Sequence, residues 1–215
     1  MTSLVAIIQL GILILTLSVF FLMHTFRNQT IQSKTRTRNK TRQPEQNRHL
    51  NQASRHLNRA RSTAHKAQHT KNALSEANQA LSITPKDPSV HILRARALYI
   101  AGHRATAIRS LDSALSLPAA KFLNPTERAD ALVFRAEMKL AVNRRRRVDS
   151  AIEDLVEAIG VSGEGSESKS EAMCLLAKCY EWKGMIEEAK NAFLKVVDVD
   201  PDSIEARNGL NRLGP

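Results

Sequence analysis

Aromatic residues make up only 4% of this 215-residue chain, with a single Trp. A β-sheet core draws heavily on aromatic side chains, so their scarcity does not suit a sheet-built fold and points to helices packed through small residues. Cysteine is nearly absent as well: Cys174 and Cys179 are the whole complement. Five positions apart in a helical segment, they face different directions and lie beyond normal disulfide reach. They lack the CxxC spacing and the further ligands of a metal site, and read as inert, packed thiols in a reducing compartment. Catalytic signatures are missing too. There is no GxSxG, no HExxH and no GxxxxGK[ST]. The glycines of GVSGEGSESKS at 160–170 form no GxGxxG and come after a helix rather than a strand, so the stretch reads as a flexible acidic linker and not a dinucleotide site. His65 and His69 stand four apart but fall across a helix-to-helix turn with no carboxylate beside them. The sequence therefore predicts no catalytic residue, no cofactor, no metal and no small-molecule substrate.

Charge is also absent from the first 23 residues, and that absence is informative. After a three-residue tail (1–3), Leu4–Met23 reads LVAIIQLGILILTLSVFFLM, 20 residues without a charge. As a helix this run is about 30 Å long, the thickness of a bilayer's hydrocarbon core. It has no positive n-region before it and no small-residue cleavage site after it, so it reads as a retained transmembrane helix rather than a cleaved signal. The adjoining stretch is strongly basic. From His24 to Lys71 there are 12 Lys/Arg against one acid, Glu45, whereas from Asn72 onward 20 Lys/Arg meet 20 Asp/Glu. The whole net charge of +11 thus sits just after the apolar run. By the positive-inside rule the bulk of the chain faces the cytosol. Residues 24–52, rich in Arg, Lys, Thr, Gln and Asn, cannot bury a core and are expected to form a disordered basic stalk. Arg27, Lys34, Arg36, Arg38, Lys40 and Arg42 lie where they can contact anionic lipid. No aromatics interleave with them, which disfavours nucleic acid.

From about residue 53 a pattern recurs. Ala73, Ala107, Ala151 and Ala189 open a unit; Ala77, Leu111, Leu155 and Phe193 stand four residues later; Ala80, Ala114, Ala158 and Val196 stand three after that. Offsets of four and three fall on one face of an α-helix. Pro85, Pro118 and Pro201 close three of the units. Ala95, Ala136 and Ala177 mark the helix before, and Gly102 and Gly184 fall in the turns between paired helices, where a small residue is expected to permit close approach. The third unit carries an insertion: Ala136 to Ala151 is 15 residues where the others have 12, and the excess is expected as an extended turn over Asn143–Arg147. Asp149, Glu153, Asp154 and Glu157 come directly after it, with the four arginines as their expected salt-bridge partners.

These spacings resemble the tetratricopeptide repeat, a 34-residue helix–turn–helix unit. The fourth unit matches best, through Ala177, Tyr180, Gly184, Ala189, Phe193 and Pro201; the first is degenerate, with Arg61 where a small residue is usual. The resemblance implies an all-α fold: a right-handed superhelical stack of antiparallel helix pairs (about 54–86, 88–118, 126–160 and 169–201, within 53–203), preceded by the single transmembrane helix. A capping helix over 204–215 is expected to cover the last pair with Ile204, Leu210 and Leu213. Repeat packing is assigned to Ala95, Ala107, Ala114, Ala136, Ala151, Ala158, Ala177, Ala189, Phe193 and Pro201. The resemblance also implies a concave groove lined by the first helix of each pair, here Ser89, Ile92, Arg96 and Tyr99, then Asp130, Val133, Glu137 and Leu140, then Glu171, Cys174, Lys178 and Glu181. Such grooves hold an extended peptide or a partner helix. The two-carboxylate clamp of chaperone-binding relatives is largely missing, since its places hold Asn58, Ser62, Leu93, Asp130 and Phe134. The expectation is a membrane-anchored scaffold or adaptor, on the endoplasmic reticulum or another endomembrane, binding a protein partner on the cytosolic side. Its rivals are a receptor on a mitochondrial or plastid outer membrane and an RNA-associated protein using the basic stalk.

Overall fold

A computed structural model describes residues 43–62, 64–163 and 166–214. The expected apolar span, the tail before it and the basic residues from Arg27 to Arg42 lie outside the described residues. The chain divides into two compact units, 1–47 and 48–215. In the first, residues 43–47 are helical. The second is all helical: α1 (48–62), α2 (Lys66–Ile83), α3 (Pro88–Ile100), α4 (Arg104–Leu115), the single-turn α5 (Leu117–Ala120), α6 (Pro125–Val161), α7 (Glu167–Lys183), α8 (Ile186–Val199) and α9 (Ile204–Leu213). The predicted disorder up to residue 52 is thus not observed over 43–52. In α1 the reason is a buried stripe, Leu50, Ala53 and Leu57, at spacings of three and four that pack on α2 and α3.

Consecutive helices form antiparallel hairpins. In the first, His49 Nδ1 lies 2.7 Å from Glu76 Oε2, and His56 Nδ1 lies 3.4 Å from His69 Nδ1, so α1 and α2 run past one another in opposite directions. Their contact face is made of alanines: Ala53, Ala73 and Ala77 are completely buried. Side chains this small let helix axes approach at the short end of the usual range of about 8–10 Å. Arg94 ties the next hairpin to its neighbour, donating from Nε to Asn78 Oδ1 (3.0 Å) and from Nη1 to the buried Ser110 Oγ (2.9 Å).

Helix starts reflect local chemistry. Asp87 accepts from the backbone N–H groups of Ser89 and Val90 ahead of Pro88 in the first turn of α3. Asn124 and Glu127 form a reciprocal capping box ahead of α6, with Pro125 at its first position. Gly102 and Gly184 do stand in the turns inside their hairpins, but for a reason other than close approach. A Cβ on either would meet nothing within 4 Å; what each requires is its positive φ, +84° and +77°.

The third pair departs most from expectation. No extended turn occurs over Asn143–Arg147. A single non-helical residue, Asn143 (φ −158°, ψ 95°), reverses the chain, and α6 comprises two arms on either side of it. Arg135–Asp154 and Lys139–Ser150 contacts show that the arms are antiparallel. The inserted residues lengthen the arms instead of the turn. Asn143 Oδ1 accepts from Arg146 N–H (3.1 Å) and so caps the second arm, placing Arg144–Arg147 in its first turn. Likewise the expected linker of 160–170 shrinks, because α6 continues to Val161 and Ser166 caps α7.

The acids of that arm also find other partners than those expected. Asp154, almost fully buried, accepts from Arg135 Nη2 (2.7 Å) and from Nε (3.1 Å), and lies 2.6 Å from Lys139 Nζ. Asp149 pairs with Lys183 at 2.5 Å, and Glu157 pairs with Arg128. Arg135 reaches Asp112 on α4 as well (3.1 Å). Burial alone would lower the Arg135 pKa, but its hydrogen bonds and charge pairing with Asp154, joined by Asp112, outweigh burial and leave it raised.

At the C-terminus α9 caps α8. Ala206 is fully buried, Gly209 lies over the Phe193 ring, and Leu210 and Leu213 pack beside them. The small Ala206 and Gly209 leave the room that the Phe193 ring occupies. Ile204, expected on the packing side, is 75% exposed. Lys178–Glu205 and Arg212–Glu181 ion pairs hold α9 to α7. Ala95, Ala107, Ala114, Ala136, Ala151, Ala158, Ala177, Ala189 and Phe193 are all completely buried, while Pro201 is exposed in the turn before α9.

Candidate functional site

An open groove of about 740 Å³ runs along the first helix of successive pairs. The end of α1 contributes Ala60 and Arg61, the start of α2 Lys66, and α3 Arg96, Tyr99 and Ile100. The first arm of α6 contributes Asp130, Val133, Phe134 and Glu137, and α7 contributes Glu167, Ser168 and Glu171. Spacing explains the presentation: Arg96–Tyr99 and Asp130–Val133–Phe134–Glu137 recur every three or four residues and so share one face of their helices. Tyr99 and Phe134 meet edge to face at 5.6 Å between α3 and α6, giving the floor an apolar centre.

Of the groove residues predicted from sequence, Arg96, Tyr99, Asp130, Val133, Glu137 and Glu171 line this cavity. Cys174 does not. It is buried with Ala177 and Phe193 against α8 and α9, and so is corrected from groove residue to core residue. Lys178 and Glu181 pair with Glu205 and Arg212 of α9, which occupies the end of the face. Ile92 and Leu140 pack against the core, and Ser89 stands outside the cavity lining. Sequence reasoning missed Arg61, Lys66, Phe134, Glu167 and Ser168. The degenerate first pair hid Arg61 and Lys66, while Glu167 and Ser168 fell inside the expected linker.

The charges of the groove are segregated. Arg61, Lys66 and Arg96 come from α1 to α3; Asp130, Glu137, Glu167 and Glu171 come from α6 and α7. No ion pair among the described residues joins one set to the other. Ser168 Oγ donates to Asp130 Oδ1 within the acidic half. Glu137 is open to water yet walled in by the groove. Desolvation there, reinforced by the neighbouring Glu171 charge and opposed by Lys178, raises its pKa above the usual 4.5. An acid held in this state gains from a cation brought in by a ligand.

A second charged feature lies at the hairpin tips. Arg144, Arg145 and Arg146 are exposed, and Arg144 stacks over the Trp182 ring at 4.1 Å. Cations in the first turn of a helix oppose its macrodipole, by about 0.3–1 kcal/mol each at exposed positions. Both thiols, by contrast, are inert in setting: burial raises Cys174 and pushes Cys179 up to about 11.

Comparison with known proteins agrees with the helix-pair architecture. The tetratricopeptide repeat family model matches residues 170–203, the span of α7, α8 and the turn after them. Among solved structures, MamA aligns with a TM-score of 0.58 at 18% identity, over 69% of this chain and 78% of that one. PilF of Pseudomonas aeruginosa aligns with 0.63 at 17% identity, over 80% and 69%. The nearly identical TPR-like repeats of a putative kinesin light chain from Podosopora anserina align with 0.59 at 18% identity, over 77% and 86%. At these identities the likeness establishes the fold alone: an all-helical, tetratricopeptide-type stack. No curated protein matches the sequence.

Proposed function

We propose that this protein is a membrane-anchored scaffold or adaptor that holds an extended peptide or a helix of a partner protein in the groove of its repeat domain, on the cytosolic side. The observation that carries the reading is the groove itself, lined by separated charges of opposite sign around an apolar Tyr99–Phe134 centre. Opposite charges kept apart on one concave wall are satisfied best by a segment that supplies their counterparts: acidic residues toward Arg61, Lys66 and Arg96, an apolar anchor in the middle, and basic residues toward Glu137 and Glu171. The tetratricopeptide-type fold supports peptide binding as the general use of this surface. The role is one of binding, and it requires no catalytic step.

Anchoring rests on the sequence of residues 4–23. Among the described residues no helix is long and apolar enough to cross a membrane. The uncharged run with its basic flank favours a retained span with the repeats in the cytosol, on the endoplasmic reticulum or another endomembrane. A tether of this kind raises the effective concentration of a bound partner at the membrane without new contacts. A receptor on an organellar outer membrane is the alternative placement, and imaging a tagged chain separates the two.

The test is affinity purification in mild detergent with three baits: the native chain, a chain lacking residues 4–23, and the charge-reversal pair Arg96→Glu with Glu137→Lys. The partner set should survive removal of the span and be lost with the reversed groove. Retention of the same partners by the reversed groove would overturn the assignment of the site, and membrane association of the span-deleted chain that resists a high-salt wash would overturn the anchor.

A further inference from the structure

We infer that the edge formed by the hairpin tips of the third and fourth helix pairs is a docking surface for an anionic lipid bilayer. All first helices of a stack run in the same direction, so the turns inside successive hairpins gather along one edge. Two contacts establish this here. A cleft between the first two tips is lined by Lys66 and Lys71 together with Ile100 and His103, and Arg144 of the third tip covers Trp182 of the fourth.

At the third tip, four consecutive arginines occupy the first turn of a helix, where the backbone dipole repels them. Asp149, Asp154 and Glu157 farther along that arm pair with Lys183, with Arg135 and Lys139, and with Arg128 instead. The Arg145, Arg146 and Arg147 side chains have no partner among the described residues. The Trp182 ring meets the Arg144 side chain, and no described side chain meets the other three arginine side chains, whereas an external anionic surface would. The nearby acids are Asp149, already paired to Lys183, and Glu187 and Glu188 at the start of α8.

Two exposed apolar side chains stand among these cations: Val142, 41% exposed, and Trp182, 40% exposed. A tryptophan flanked by arginines is the composition that sits at headgroup depth, with its ring among the glycerol groups and its cations on phosphates. Nucleic acid is the competing ligand and fits less well. Base stacking needs a free aromatic face, and one face of Trp182 is already covered by the Arg144 guanidinium. The proposal adds a second lipid contact to the anchoring proposed above, and the two fail in different ways.

Trp182 is the single tryptophan of the chain, so its fluorescence reports on this edge alone. The full chain is reconstituted in discs of phosphatidylcholine, with or without phosphatidylserine, and quenched with brominated lipid. A blue shift and quenching are expected only with phosphatidylserine. Both should be lost in high salt and in the Arg145→Glu, Arg146→Glu variant, whose far-ultraviolet circular dichroism should match the native chain because both side chains are exposed and unpaired. Identical emission in the two lipid compositions, or a full response from the double variant, would overturn the proposal. So would quenching by an added RNA oligonucleotide without any lipid response, which would give the edge to nucleic acid. A chain that fails to enter discs sinks the anchor instead, and the same readout with added phosphatidylserine vesicles then decides the edge.

Discussion

Replacing Gly209 with Ala should destabilise the last repeat, although alanine is the better helix former. In an exposed helix interior the change would gain up to about 1 kcal/mol. Here an added Cβ would stand 2.5 Å from Cε2 and 2.8 Å from Cδ2 of Phe193. Carbon atoms rest at about 3.5–4.0 Å, so the ring or the helix must give way by about 1 Å. Phe193 is completely buried among Ala177, Val196 and Ala206 and has no free direction. Overpacking of this kind costs about 1–3 kcal/mol, and subtracting the propensity gain leaves a net loss of up to about 2 kcal/mol. For a domain of this size that is a fall in Tm of up to roughly 8 °C. Thermal and urea unfolding tracked by circular dichroism measure it, with limited proteolysis at α9 to detect undocking of the cap alone. Phe193→Leu in the Gly209→Ala background should restore part of the loss, giving a favourable coupling in a double-mutant cycle. A Gly209→Ala chain that melts above the native temperature, showing the full propensity gain and no steric cost, would mean that α9 does not rest on Phe193, and the capping account would fail.

Removing the Asp154 charge with Asp154→Asn leaves Arg135 only its half-exposed partner Asp112 and Lys139 only the Ser150 carbonyl in a mostly dry site, and should cost up to about 3–5 kcal/mol in urea titration. The same kind of change at Glu157, whose pair with Arg128 is half exposed, should cost under about 1 kcal/mol. Cys174 and Cys179 should resist alkylation in the native chain at mildly alkaline pH and react at once in denaturant, because burial disfavours both thiolates; fast native labelling would contradict the packing of α7 on α8. Glu137 gives a pH signature. Its folded pKa lies above the ordinary 4.5, so its favourable contribution is complete below 4.5 and is lost as pH rises through the folded value. Glu137→Gln should therefore gain stability relative to the native chain toward neutral pH and not at acid pH, and parallel stability curves for the two chains would remove the desolvation argument.

The helix-pair architecture was legible because its cause is local. Alanines at fixed intervals let several helices nest along both sides of each other, and Ala95, Ala107, Ala136 and Ala177 disclose their burial by spacing alone. Where the sequence misleads, a non-local or backbone effect decides. The insertion in the third pair reads as a loop because an arginine run looks solvated, yet arginine is a good helix former, and Asn143 supplies both the reversal and the cap. Gly102 and Gly184 stand in turns as their spacing predicts but for a different cause, since spacing cannot distinguish a left-handed φ from a tight contact. Salt-bridge partners escape the sequence for a similar reason. Proximity along the chain favours Arg144–Arg147 for Asp149, Asp154 and Glu157, whereas packing brings Lys183 to Asp149, Arg135 and Lys139 to Asp154, and Arg128 to Glu157.

The groove was half legible, and the missing half has two sources: Ile92 and Leu140 pack against the core and Ser89 stands outside the lining in the middle pairs, while α9 takes up the face of the fourth. In the second and third pairs five of the eight predicted first-helix positions, Arg96, Tyr99, Asp130, Val133 and Glu137, line the groove. At the fourth pair α9 folds over the face, so Cys174, Lys178 and Glu181 are drawn into packing and ion pairs. At the first pair the repeat signature is weak, and Arg61 and Lys66 carry no mark of their position. The consequence is that the groove is displaced toward the N-terminal side of the stack, with part of its basic half supplied by the pair least like the family pattern. That pair keeps its buried alanines, Ala53, Ala73 and Ala77, while Arg61 and Lys66 face the groove. Positions that face the core and positions that face the groove are thus under different physical demands within one degenerate repeat. That division leaves the cations of the groove on α1 to α3 and its acids on α6 and α7.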